Sequence, residues 1–139
     1  MFQVASAEHV PQYVRHCTLK GGALWGVDFP MDTKTVRYPL VVYLHSPYKN
    51  GPQPEGVQAY GTVTRVTSGS ASVAAANPDL VPTFARGAAH RTWFYFDQIL
   101  NVNPSVAPSE FFTVDHEKLA AVPTGAPVLL GPPYPVKKK

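Results

Sequence analysis

Fifteen of the 139 residues are proline, about 11% against a usual value near 5%. They are spread between apolar runs rather than gathered in one tract. Each proline removes a backbone donor and locks φ, so it ends helices and is excluded from central strands. A chain punctuated this often folds into short elements joined by stiff loops. It is nonetheless a folding chain: hydrophobic residues make up 45% and charged residues 15%, the latter low against about 25% in ordinary domains. Low charge with ample aromatics gives an ordered globule, not a disordered segment. The length suits a single domain, residues 1–136, followed by a basic tail at 137–139.

The formal charge is +3, from 12 Lys and Arg against 9 Asp and Glu. Lys137, Lys138 and Lys139 account for all of that excess, so basicity by itself says little about a polyanionic partner. The single cysteine, Cys17, allows no internal disulfide and no thiolate metal cluster. That suits a reducing compartment, and the expected localisation is cytoplasmic. The opening MFQVASAEHV has no basic start and no long apolar run, so it reads as neither signal peptide nor membrane anchor.

Along the chain, residues 2–5 suit a short buried strand, and Ser6 suits a helix cap. Val10, Tyr13, Val14 and Cys17 recur at helical spacing, which predicts an amphipathic helix over 8–17 with Pro11 in its first turn. Residues 38–45 (YPLVVYLH) read as a central strand apolar on both faces. A broken loop (46–56) leads to an alternating strand at 57–67, expected to pair antiparallel with it. Residues 68–89 read as a surface excursion, with room for a short helix around 71–76. RTWFYFDQIL (91–100) is the strongest strand by composition. A half-strand at 106–114, a short helix from Asp115 through Ala121, and a closing strand before a proline tail complete the pass. Four to six short strands with one or two small helices predict a small mixed barrel of the α+β class.

Phosphate-cradling glycine loops, a G-x-S-x-G elbow and H-x-x-x-H ligand pairs are all missing from the sequence. The expectation is therefore no catalytic residues, no cofactor and no metal. Cys17 follows His16 directly, and successive helical side chains diverge, so the two read as separate and Cys17 as core.

Three segments in order carry a resemblance. A short strand ending in Ser6 is followed by a helix and LWGV (24–27). YPLVVYL (38–44) is followed by a loop and AYGTV (59–63) before VTSG. WFYFDQI (93–99) comes last. Together these resemble the EVE domain of the PUA-like superfamily, a relative of the YTH and ASCH domains, over about residues 2–100. The resemblance implies a strongly curved β-barrel with short flanking helices and a pocket for a flipped or unpaired nucleobase, often a modified one. It sets Trp25 as a pocket wall and Ser6 near the same cavity. Two departures stand out: LKGG lengthens the segment before Trp25, and RYP (37–39) replaces the family's "GD".

The chemistry agrees with that implication, because a base needs an aromatic wall for its face and polar partners for its edge. Trp25, Ser6, Gly26 and Val27 are the candidates at the wall, with Gly22 and Gly26 able to admit a close backbone. Tyr43, Tyr60 and Trp93 are candidates for a second wall, and the family glycine falls on Ala59 or Gly61. Lys34, Arg65, Arg86 and Arg91 are candidates for phosphates. Plain readings stand beside these: Trp25 and Trp93 as core, Tyr43 as half-buried sheet, Ser6 as a cap, the cations as solvated surface. The leading expectation is a non-catalytic binder of RNA or DNA. The alternatives are an ASCH-like hydrolase of a modified nucleoside, using Lys20 or Lys34 with Asp28 and Ser6, and an interaction module. In the last, the tail with Pro132, Pro133 and Pro135 docks on a protein partner, or the chain pairs with a second copy.

Overall fold

A computed structural model describes residues 1–68, 76–85 and 90–135. It is mixed α+β, as the patterning requires. The elements run β1 (Phe2–Gln3), α1 (His9–Lys20), β2 (Ala23–Val27), β3 (Leu40–Ser46), β4 (Gly56–Ser68), β5 (Thr92–Val106), β6 (Phe112–Thr113) and β7 (Leu130–Gly131). The first five strands form one sheet in the order β1-β3-β4-β5-β2, and β6 pairs with β7. The short helix expected around 71–76 lies almost wholly outside the described residues, as do Arg86 and the 137–139 tail.

The chain divides into two compact units. One comprises Met1–Val10, Tyr43–Tyr60 and Asn101–Lys139; the other comprises Pro11–Val42 and Gly61–Leu100.

In the second unit, α1 buries Tyr13 and Cys17 on one face, the i, i+4 spacing that marked it as amphipathic. The helix stops where Gly21, at φ 74°, donates its N–H to the Cys17 carbonyl at 2.9 Å, a left-handed glycine cap. β2 runs antiparallel to the start of β5, with Trp25 opposite Phe94 and Gly26 opposite Trp93. Alternation along β5 then splits two clusters. Trp93 packs with Leu24, Val81 and Ala85, against which Leu80 and Tyr95 also rest. Phe94 and Phe96 join Phe29 and Trp25. Thr92 is buried and gives its hydroxyl to the Phe29 carbonyl at 2.7 Å.

In the first unit, β1 lies parallel to β3, with Phe2 opposite Leu44 and Gln3 opposite His45. Val4 extends the ladder by donating to the His45 carbonyl at 2.8 Å. The Met1 amine donates to the Val128 carbonyl at 3.0 Å, and the Val128 N–H returns a bond to the Met1 carbonyl at 2.8 Å. Gln53 ties the loop between β3 and β4 to β5, donating to the Val102 carbonyl and accepting from the Ser105 N–H, both at 2.9 Å.

Two expectations are corrected. The half-strand at 106–114 is instead the end of β5, a 3₁₀ turn over Pro108–Glu110, and the two-residue β6. β5 runs on through Pro104, past Phe96, where its ladder with β2 ends. No helix runs from Asp115 to Ala121. The Thr113 hydroxyl accepts the N–H groups of Asp115 and Glu117, His116 takes φ 64°, and the chain turns back to bridge Phe112 with Lys118. A side-chain acceptor competing for local N–H groups and a left-handed residue both oppose helix propagation.

Candidate functional site

The candidate residues named above fall into both units. Trp25 is 4% exposed, and one face carries the Tyr13 ring, centroids 4.0 Å apart and 17° from parallel. Phe96 meets it edge-on at 6.3 Å, and Phe84, 43% exposed, meets Tyr13 edge-on at 5.6 Å. Burial pushes the Tyr13 phenol well above its ordinary pKa, so it is a neutral stacking partner. Val27 is buried behind Trp25 on the same strand. The space beside Gly26 is filled by this chain's own His90: a Cβ there would come within 2.2 Å of the imidazole. His90 Nδ1 is 2.8 Å from Asp28 Oδ1, and its ring stands edge-on to Trp93 at 5.1 Å. Trp93 is fully buried, and its indole N–H has no acceptor.

Three of the four candidate cations are described. Lys34 is exposed, with its backbone N–H on Asp32 Oδ1 at 2.9 Å. The Arg65 guanidinium lies over the Tyr95 ring at 5.3 Å. Exposed Arg91 uses its backbone N–H on the Val27 carbonyl at 3.1 Å.

In the first unit Ser6 opens α1: its hydroxyl accepts the Glu8 N–H at 3.4 Å and its carbonyl the His9 N–H at 3.2 Å. Tyr43 and Tyr60, candidates for the second wall, come together with rings 6.1 Å apart and 30° from parallel. Tyr134 lies within 20° of parallel to Tyr43 at 6.3 Å, and Phe111 meets Tyr43 edge-on at 5.0 Å. Tyr43 and Tyr60 are each 6% exposed, whereas Tyr134 is 40% exposed. Burial raises the Tyr43 pKa, and the neighbouring Tyr134 and Tyr60 add to the effect. Tyr60 and Tyr134 thus both lie near parallel to Tyr43, and Tyr134 is the exposed one of the three.

Two polar groups flank the tyrosine pair on its own strands. His45, two residues beyond Tyr43, is 9% exposed, and its Nδ1 is buried with no partner. Burial lowers its pKa, against a smaller pull from Glu55, so the imidazole favours its neutral form, able to donate or accept. Gln58, two residues before Tyr60, is 2% exposed. Its amide nitrogen donates to the carbonyls of Tyr48 at 3.2 Å and Pro54 at 2.9 Å. Two carbonyl partners fix which end is nitrogen, so Oε1 is an acceptor, and it has no donor. Buried polar atoms are almost always paired, which makes these two orphans informative. Gln58 and Tyr134 carried no motif. His45 carried none either, and only the surrounding fold gives it meaning.

The hydrolase residues pair elsewhere: Asp28 with His90, and Ser6 with the opening of α1. Burial pushes the Cys17 thiol up, a hydrogen bond from Ile99 backbone lowers it and Asp97 raises it again; the thiol form is favoured, as for a core residue. Among the described residues no group of three His, Cys, Asp or Glu side chains could hold a metal ion, and no helix is long and apolar enough to cross a membrane. Comparison of the chain with protein-family models, curated proteins and solved structures yields no match.

Proposed function

We propose that this chain is a non-catalytic nucleic-acid-binding module of EVE-like, PUA-like character that takes an unpaired base, plain or modified, against its tyrosine row. The observation that carries the reading is the near-parallel pair Tyr60 and Tyr43, each two residues along its strand from a buried orphan atom, Oε1 of Gln58 and Nδ1 of His45. A base brings a flat face for such rings and hydrogen-bonding groups for such atoms. Tyr13 already covers one face of Trp25, so the tyrosines are the favoured stacking partners and Trp25 the secondary one.

The test is fluorescence anisotropy of labelled single-stranded RNA and DNA oligomers, with Tyr43→Leu to remove the ring while keeping bulk and Trp25→Phe as its counterpart. Stacking is worth roughly 1–3 kcal/mol per base, so Tyr43→Leu, folded by circular dichroism, should bind about 5- to 150-fold more weakly. Affinity should also fall steeply with salt. Unchanged affinity in Tyr43→Leu alongside a loss in Trp25→Phe would move the base to Trp25. Absence of binding to every oligomer would remove the reading.

A further inference from the structure

We propose that the C-terminal segment is a built-in, displaceable occupant of the tyrosine row: Tyr134 sits on Tyr43 in the place an incoming base would take. This rests on the base-binding reading above.

Four observations support it. First, Tyr134 is the member of the row farthest along the chain and the most exposed, at 40%, whereas Tyr43 beneath it is 6% exposed. Second, its orientation on Tyr43, 20° from parallel with centroids 6.3 Å apart, is that of a stacked ring, the arrangement a base would adopt. Third, its neighbours Pro132, Pro133 and Pro135 are exposed like Tyr134 itself, and the ring contact this stretch makes is the one on Tyr43. Fourth, the ladder just upstream is short: β7 pairs with β6 through Gly131–Phe112 and Leu130–Thr113, and beyond exposed Leu129 the next tie is the Val128–Met1 backbone pair. Three prolines around one tyrosine stiffen the segment, which keeps the ring near its seat at little entropic cost. Displacing it breaks its contact with Tyr43, and the residue lies beyond the β6–β7 ladder.

The consequence is a competition within one molecule. A base reaches Tyr43 only in the fraction of molecules whose Tyr134 is away, and the apparent affinity is reduced by that fraction. Tyr134→Ala removes the competitor and should tighten binding of a labelled single-stranded oligomer about two- to tenfold, the range an aromatic pair supplies. Tyr134→Phe, which keeps the ring, should bind as the wild type does. In 3-fluorotyrosine-labelled protein, the ¹⁹F signal that Tyr134→Ala deletes should move towards its solvent position when oligomer is added to the wild type.

Weaker binding by Tyr134→Ala would make Tyr134 part of the platform, overturning the competition while leaving base binding in place. Equal binding, or a Tyr134 signal that stays put on saturation, would overturn it too. Failure of wild type and Tyr134→Ala alike to bind any oligomer would remove both this inference and the reading beneath it.

Discussion

Gly61→Ala provides a direct test of how the aromatic cluster in the second unit is held. A Cβ at Gly61 would lie 2.5 Å from Phe96 Cδ1, 2.7 Å from Phe96 Cε1 and 2.6 Å from the Gln98 carbonyl oxygen. Carbon contacts settle near 3.5–4.0 Å, so the overlap is about an ångström. Neither partner can yield easily. The carbonyl belongs to the β5 backbone, and Phe96 is 2% exposed, with Trp25 and Phe94 each 6.3 Å from its ring. Overpacking of this kind costs about 1–3 kcal/mol. The stiffer unfolded chain of an alanine returns about 0.4–1 kcal/mol, leaving a net loss of about 1–2 kcal/mol. With a urea m-value of about 2 kcal/mol/M, the unfolding midpoint should fall by roughly 0.5–1 M. A wild-type midpoint for Gly61→Ala would refute the assignment of Gly61 as the glycine that seats Phe96.

Tyr43→Leu and Tyr134→Ala should move oligomer affinity in opposite directions, down and up, in the same anisotropy assay. Thr92→Val leaves the Phe29 carbonyl without its 2.7 Å buried donor, and should lower stability by about 1–3 kcal/mol in urea unfolding. The Met1 amine is buried and its pKa is lowered from 8.0 to about 5. The folded state thus binds fewer protons than the unfolded one between those values, so its stabilisation is full above pH 8 and is lost as pH falls towards 5. Three units set an upper scale of about 4 kcal/mol; His45, also lowered, adds a loss below its ordinary value. Urea midpoints from pH 8 to pH 5 should decline, and one extra residue before Met1 should flatten the upper part of the curve.

How far the chain could be read in advance depended on the range of the interaction. The helix was legible because Val10, Tyr13 and Cys17 are local neighbours, and all three are buried. The faces of β5 were legible for the same reason, since alternation alone separates Trp93 from Phe94 and Phe96. The length of β5 was not, because it continues past Phe96, where pairing with β2 ends, and through a proline. The turn at 113–118 was misread as a helix because the Thr113 hydroxyl, not Asp115, takes the free N–H groups. The close fit of Gly61 against Phe96 was not legible, because Phe96 belongs to another strand. The tyrosine row is the extreme case: Tyr43 and Tyr60 were nominated by alternation, but Tyr134 meets Tyr43 only after the rest of the chain has folded between them.

The interleaving of the two units sets an order in time. Synthesis proceeds from the N-terminus at about 5–20 residues per second. Every segment of the second unit has been made once Leu100 is added, whereas the first unit still lacks everything from Asn101 onward. Until the final quarter of the chain emerges, Tyr43 and Tyr60 have neither Phe111 at their edge nor Tyr134 on top. Until then Tyr43 and Tyr60 lack both rings, and Phe111 and Tyr134 are the ones that close over them.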